Sequence, residues 1–442
     1  MFRTVQNIFK IPELRRRILF SLALLVVYRL GAHIPSPGID GAALGTFFEQ
    51  VRGTIFGLFD VFVGGALRRA TILALGVMPY ISASIIFQLL VTVIPYLEKL
   101  QKEGEEGRRK ITQYTRYGTV LIALIQSLGI AIWMEGLTSK VSVGGIEHIV
   151  HIVPTPGIGF RLLTMLTLTT GTIFAMWIGE QITERGIGNG ISLIIFVGCI
   201  EELPMYTANT FNMVRAGVLS PVVLFFVIGL MVAITASVVL MTQGQRKIPV
   251  QYAKRIIGRK MYGGHSTHLP LRINAAGVIP IIFAQSIMMF PSTLSTFFKS
   301  EIALSVAAFF KPGNIIYSMA YSAMIIFFTY FYTAIIFNPQ DVADNMKKYG
   351  GFIPGIRPGS RTAEFIDHIL TRLTLPGAVF LAFIAVVPWF LMDKAHVPFY
   401  FGGTALLIIV GVALDTIQVI ESHLVMRHYE GFLRRGKVRG RR

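Results

Sequence analysis

GLFDVFVGGALRRATILALGVMPYISASIIFQLL, residues 57–90, begins as a segment unable to cross a bilayer and ends as one that can. Leu58 to Leu67 is about ten residues, roughly 15 Å of helix, half of a hydrocarbon core near 30 Å. It carries Asp60, and Gly64 and Gly65 loosen it. Arg68 and Arg69 follow and are too polar for lipid. The apolar run then resumes from Ile72 to Ile94, long enough to span, and Pro79 is expected to kink it. A half-length helix at membrane depth is tolerated only inside protein or in a wet cavity. The expectation is therefore a cavity with a short helix sitting in it.

Working outward, only 14% of the 442 residues are charged and 53% are hydrophobic, where a soluble chain carries about 25% charged residues. Apolar runs of about 17 or more residues recur, which indicates a polytopic helical membrane protein. Cys199 is the only cysteine, so no internal disulfide forms. Arg15–Arg17 before the apolar run from Ile18 resemble the front of a signal peptide, but no small-residue cleavage site follows. The first span is expected to stay. The segment before it is expected to lie along the inner membrane surface.

Ten spans are expected, near 18–34, 72–94, 115–136, 160–179, 188–203, 218–241, 274–291, 314–337, 370–391 and 399–420. An even number puts both termini on one side. With the termini inside, cytoplasmic segments hold 31 of the 41 Lys and Arg residues, which sets the orientation by the positive-inside bias. The halves also repeat. GVMPYISA at 76–83 matches GVIPIIFA at 277–284, five spans later, so the copies run in opposite directions. Chance similarity between Gly/Pro-containing apolar helices is the competing explanation. The expected organisation is an N-terminal half over 1–203, an external hinge loop over 204–217, a C-terminal half over 218–420 and a basic cytoplasmic tail over 421–442.

Absent motifs narrow the function. There is no G-x-x-x-x-G-K-[ST] for nucleotide and no H-E-x-x-H. His148 and His151 are three apart on an expected external loop and are not expected to complete a metal site, so neither metal nor cofactor is expected. GIGNG at 186–190 reads as a tight turn between spans. The charged residues Arg29, Glu201, Glu202 and Asp415 fall toward span ends, so no proton relay is evident. The spans instead hold Ser82, Ser84, Gln88, Gln126, Asn274, Gln285 and Ser286, which either glue helices together or line a wet interface. The sixth and eighth connections are long and basic. Such loops either obey the inside bias alone or meet RNA phosphate or an acidic protein surface.

Seven stretches then carry a resemblance: GGALRRATILALGVMPYISASII, EGRRKITQYTRYGT, WIGEQITERGIGNGIS, QYAKRIIGRK, STHLPLRINAAGVIP, FNPQDVADNMKKYGGFIPGIRPG and VPFYFGGTALLI. In this order they resemble the SecY family, pore subunits of bacterial protein-conducting channels, over essentially the whole chain. The resemblance implies an all-α membrane protein of ten spans in two inverted five-helix halves around an hourglass pore. It implies a plug near Leu58–Ala70, including Asp60, Val61, Phe62, Val63, Gly64, Gly65, Ala66, Leu67 and Arg68. It implies an apolar pore ring of Val77, Ile81, Ile191, Ile195, Ile282 and Ile408. Valine is smaller than the isoleucine common at the first of these positions. A lateral gate is implied near Ser82, Gln88, Gln285, Ser286 and Phe290. Motor and ribosome contacts are implied at Arg259, Lys260 and Arg357.

What the resemblance implies about function is passage of unfolded preproteins across the bacterial inner membrane and lateral release of apolar segments into lipid. The implied partners are SecE-like and SecG-like small subunits, a SecA-type motor ATPase, the ribosome, and the preprotein with its signal sequence. An apolar ring suits a substrate of arbitrary sequence, because it fits any side chain and holds none strongly. No bond change, and hence no enzyme activity, is expected. A small-solute secondary transporter built from inverted repeats is the rival reading, although buried coupling charges are missing from the spans.

Overall fold

A computed structural model describes residues 11–50, 60, 63–143, 146–217, 220–252, 255–257, 260–262, 266–297, 314–395 and 403–435. Val61, Phe62 and Arg259 lie outside the described residues, as do the side chains of Lys260 and Phe290. Ten helices answer to the ten expected spans: α1 (Pro12–Gly31), α3 (Met78–Val93), α5 (Glu105–Glu135), α6 (Ile158–Arg185), α7 (Gly190–Arg215), α8 (Pro221–Gln243), α9 (Ile279–Phe297), α10 (Ile315–Ile336), α12 (Ser360–Ala395) and α13 (Gly403–Arg435). Three shorter helices join them: α2 (Gly41–Gln50), α4 (Pro95–Lys102) and α11 (Pro339–Lys348). Among the described residues seven helices are long and apolar enough to cross a membrane, and eight if α3 and α4, bent by 98°, count as one span. The bend falls at Ile94, whose extended backbone is what a following proline imposes.

The second span departs from expectation. Its helix begins at Met78, not Ile72, and residues 72–77 run in turns. Pro79 therefore sits in the first helical turn and kinks nothing. Proline is well placed there, since its missing N–H has no intrahelical partner anyway. Gly76 precedes it with φ 53°, a left-handed backbone that ends the turns and starts the helix. The short helix expected over Leu58–Leu67 is also revised. Asp60 is helical, but Val63–Ala70 run in turns, with Gly64 and Gly65 at φ 67° and 73°.

The chain forms two compact units. The first holds Met1–Phe211, Ser286–Pro312 and Val412–Arg442. In it α5 packs along α3 and α6, and α1 packs on α6. The 186–190 turn forms as expected, and Ser21 of α1 accepts the Ile187 N–H at 3.0 Å. The segment expected as a hinge loop at 204–217 is instead mostly helix, because α7 runs on to Arg215. Pro204 lies inside this helix, and no glycine follows it until Gly217, whose φ of 72° comes just past the helix end. Antiparallel strands β1 (Thr138–Val143) and β2 (Ile146–His151) form a hairpin between α5 and α6.

The second unit holds Asn212–Gln285 and Gly313–Gly411. Here α10 packs along α12. The sixth connection is a sheet where the sequence suggested only a long loop. Strands β3 (Gln245–Tyr252) and β6 (Ser266–Arg272) pair antiparallel, and β7 (Gly351–Phe352) from the eighth connection joins β3. Between β3 and β6 in sequence, β4 (Arg255–Ile257) and β5 (Lys260–Tyr262) pair antiparallel. Ile248 and Leu271 of this sheet, with Ile353 just after β7, bury with Ile366, Ile369 and Leu370 of α12.

Candidate functional site

The segment from Asp60 to Thr71 is closed on itself. The Asp60 carboxylate accepts the Arg68 backbone N–H at 2.9 Å, and its other oxygen lies 3.7 Å from the Arg68 guanidinium. The Asp60 carbonyl accepts the Gly65 N–H at 2.8 Å. The two charges are 8% and 18% exposed, so each relieves the other's desolvation. Farther on, Thr71 returns both its N–H and its hydroxyl to the Ala66 carbonyl. The Ser36 N–H bonds the Ala70 carbonyl at 2.7 Å, and the Ile72 N–H bonds the Ile34 carbonyl at 3.0 Å. Leu67 and Ala70 bury in a core with Leu44 and Phe48 of α2, Met134 of α5 and Phe160 of α6.

Charges that the sequence placed only at span ends meet over this segment. Arg29, in the last turn of α1, pairs with Glu201 of α7 and donates to the Gly64 carbonyl at 3.3 Å. Arg69 donates both terminal nitrogens to the same Glu201 oxygen at 3.3 Å. His33 bridges the two arginines, with Nε2 at 3.0 Å from Arg69 and Nδ1 at 2.9 Å from the Arg29 carbonyl. Sequence reasoning missed this cluster. The available signal was opposite charges at the ends of the first and fifth spans, which the expected topology puts on one side of the membrane.

The residues of the implied ring are apolar and mostly buried. In the first unit Val77, Ile81 and Ile195 are buried and Ile191 is half-buried, packed toward Gly179 of α6. In the second unit Ile282 and Ile408 are buried. Val77 is the last residue before α3, and its carbonyl accepts the Ile81 N–H at 3.1 Å. Val278 and Ile282 repeat that bond at 3.4 Å at the start of α9.

Of the residues implied at a gate, Ser82 and Ser286 are half-buried, and Gln88 donates to Ser84 at 3.1 Å along α3. Gln285 is 2% exposed on α9, and its amide nitrogen is buried without a hydrogen-bond partner among the described residues. Tyr317 of α10 is buried and stacks on Tyr321. Arg357 is exposed in a turn anchored by buried Ile353, and its carbonyl accepts the Thr362 hydroxyl at 2.9 Å. Lys260 lies in β5. Arg246, Lys247, Lys347, Lys348, Arg361 and Arg372 are also exposed and outnumber the exposed Asp341, Asp344, Glu364 and Asp367 of α11 and α12, so this surface is net basic.

A profile of the SecY family matches residues 71–417. The chain is 50% identical to a protein of Escherichia coli K12 described as "Protein translocase subunit SecY", over 97% of this chain and 96% of that one. It is 47% identical to the protein of that description from Aquifex aeolicus, over 98% and 100%. A solved structure described as "The structure of a protein conducting channel" shares the fold with a TM-score of 0.65, at 17% identity, over 98% of this chain and 99% of that one. One described as "Sec61 in the Canine ribosome-channel complex from the endoplasmic reticulum" gives 0.60 at 16%, over 98% and 99%. With the family profile matched over residues 71–417 and half of the aligned positions identical to a translocase subunit over 97% of the chain, the chain belongs to the SecY family.

Proposed function

We propose that this multi-pass membrane protein is the channel subunit of a Sec translocon and passes unfolded polypeptide across the membrane. The observation that carries this is the 50% identity, end to end, with a translocase subunit. The small-solute transporter is set aside, because the whole chain matches protein translocases.

Val77, Ile81, Ile191, Ile195, Ile282 and Ile408 form the constriction, and their apolar character supports sealing by dewetting. The segment from Asp60 to Arg68 is the plug. A seam near Ser82, Gln88, Gln285, Ser286 and Phe290 opens sideways to lipid. The protein sits in the bacterial inner membrane with both termini cytoplasmic, in keeping with the 31-to-10 division of Lys and Arg. Arg259, Lys260 and Arg357 meet a SecA-type motor or the ribosome, and SecE-like and SecG-like subunits complete the channel. The channel changes no bond, so the driving energy comes from the partner.

Reconstitution tests the reading. Proteoliposomes holding the protein and its small subunits should take up a preprotein only when a motor and ATP are supplied. Motor-independent uptake of a small solute, with no preprotein movement, would contradict it.

A further inference from the structure

The plug reading leaves open what keeps the 60–70 segment in its seat. Backbone bonds tie its end, at Ala70 and Ile72, to residues 34–36. Its forward part, around Gly64, touches the helices through charge. A side chain on Gly64 would begin 2.8 Å from Glu201 Oε2 and 3.0 Å from the Gly198 Cα, so the segment lies directly on α7. At that point one carboxylate serves two cations. Glu201 pairs with Arg29, which reaches the Gly64 carbonyl, and with Arg69, which belongs to the segment itself. Glu201 is 19% exposed, Arg29 22% and Arg69 35%. Such partial burial screens the pairs less than a surface bridge.

We propose that Glu201 is the latch of this segment, and through it a residue that sets which polypeptides are admitted. This rests on the plug reading above. Glu201 holds Arg69 of the segment and Arg29 of its seat together. Without its charge the Arg69 and Arg29 guanidiniums lose the carboxylate they share, and the hold of the seat on the segment weakens. A strongly apolar signal opens the channel against the latch. A weakly apolar one does not. The strength of a contact far from the signal therefore sets the threshold for entry.

The test uses the full chain reconstituted with its small subunits, in a Cys199→Ser background. Glu201→Gln keeps the shape and removes the charge, and Arg69→Gln is the second variant. Each should raise resting ion leak, and transport of a preprotein with a weakened signal, at least threefold. The double variant should do no more than either single one. A cysteine replacing Ala66, which is fully buried, should react at least threefold faster with an external maleimide once Glu201 is changed. Thermal unfolding of each variant in detergent separates loss of the latch from loss of fold. Deleting residues 61–66 checks the plug reading by itself. If the deletion raises leak and neither Gln variant does, the latch is wrong and the plug stands. If the deletion leaves leak unchanged, the plug reading falls and takes the latch with it. If Glu201→Gln raises leak as much in the deletion as in the full chain, Glu201 acts elsewhere and the proposal is overturned.

Discussion

Gly76 and Gly277 adopt the same left-handed backbone, φ 53° and 65°, each three residues before a proline in the first turn of a helix. The repeated GV-x-P is thus a helix start, set where the expected span would already be helical. From Met78, α3 has 16 residues, about 24 Å of helix, shorter than a hydrocarbon core near 30 Å. The turns before it supply the rest.

Gly76→Ala should therefore lower stability by about 1 kcal/mol or more, since an L side chain resists this φ. A Cβ there would also lie 3.1 Å from Val63, coupling the change to the plug segment. Gly159→Ala, in α6 with nothing within 4 Å, should be neutral or stabilising by about 0.5–1 kcal/mol. Thermal unfolding of the two variants in detergent compares them directly. Equal melting points would show that the Gly76 turn carries no strain.

Gln285→Leu should leave stability unchanged or raise it by about 1–3 kcal/mol, because it removes a buried amide nitrogen that has no hydrogen-bond partner among the described residues. Thermal unfolding in detergent checks this. A melting point several degrees below that of the unaltered protein would mean that the amide is held by a bond.

Much of the fold was legible in the sequence. Ten apolar stretches gave ten helices, because length and hydropathy decide what stays in lipid. The boundaries were not. Ile72 and Leu75 are as apolar as Ile81, so hydropathy could not reveal that Gly76 breaks the run. The sheet of the sixth connection was hidden by its polar strands, where only Ile248 and Val250 of β3 point inward. The cluster at Glu201 was hidden for another reason: Arg69 and Glu201 are 132 residues apart, and no local pattern pairs them. The implied ring came from family resemblance alone, since an isoleucine in an apolar helix has no distinguishing neighbour.

Ile81→Asn, Ile282→Asn and Ile408→Asn should each raise ion leak and admit preproteins with weak signals, because a polar side chain favours water at a dewetted constriction. Planar-bilayer conductance reads this out. Unchanged conductance in all three would make these residues ordinary core.

Reporters fused after residues 260 and 350 should read as cytoplasmic, on the same side as exposed Arg357. Arg357→Glu should then reduce motor-driven transport severalfold without altering insertion of the chain itself. Ribosome affinity should fall with rising salt, as arginine and lysine release counterions from RNA phosphate. Salt-independent binding would remove the basic surface from a docking role.

Polypeptide passing through the proposed ring would touch Ile81, Ile282 and Ile408. A photocrosslinking amino acid at Ile81, Ile282 or Ile408 should capture a preprotein stalled in transit by a folded C-terminal domain. The same probe at exposed Phe225 of α8, 82% accessible, should not. Crosslinks at all three ring positions, dependent on motor and ATP, are the predicted result. Transport without any crosslink from the ring would contradict the account, because the chain would then be crossing by another route.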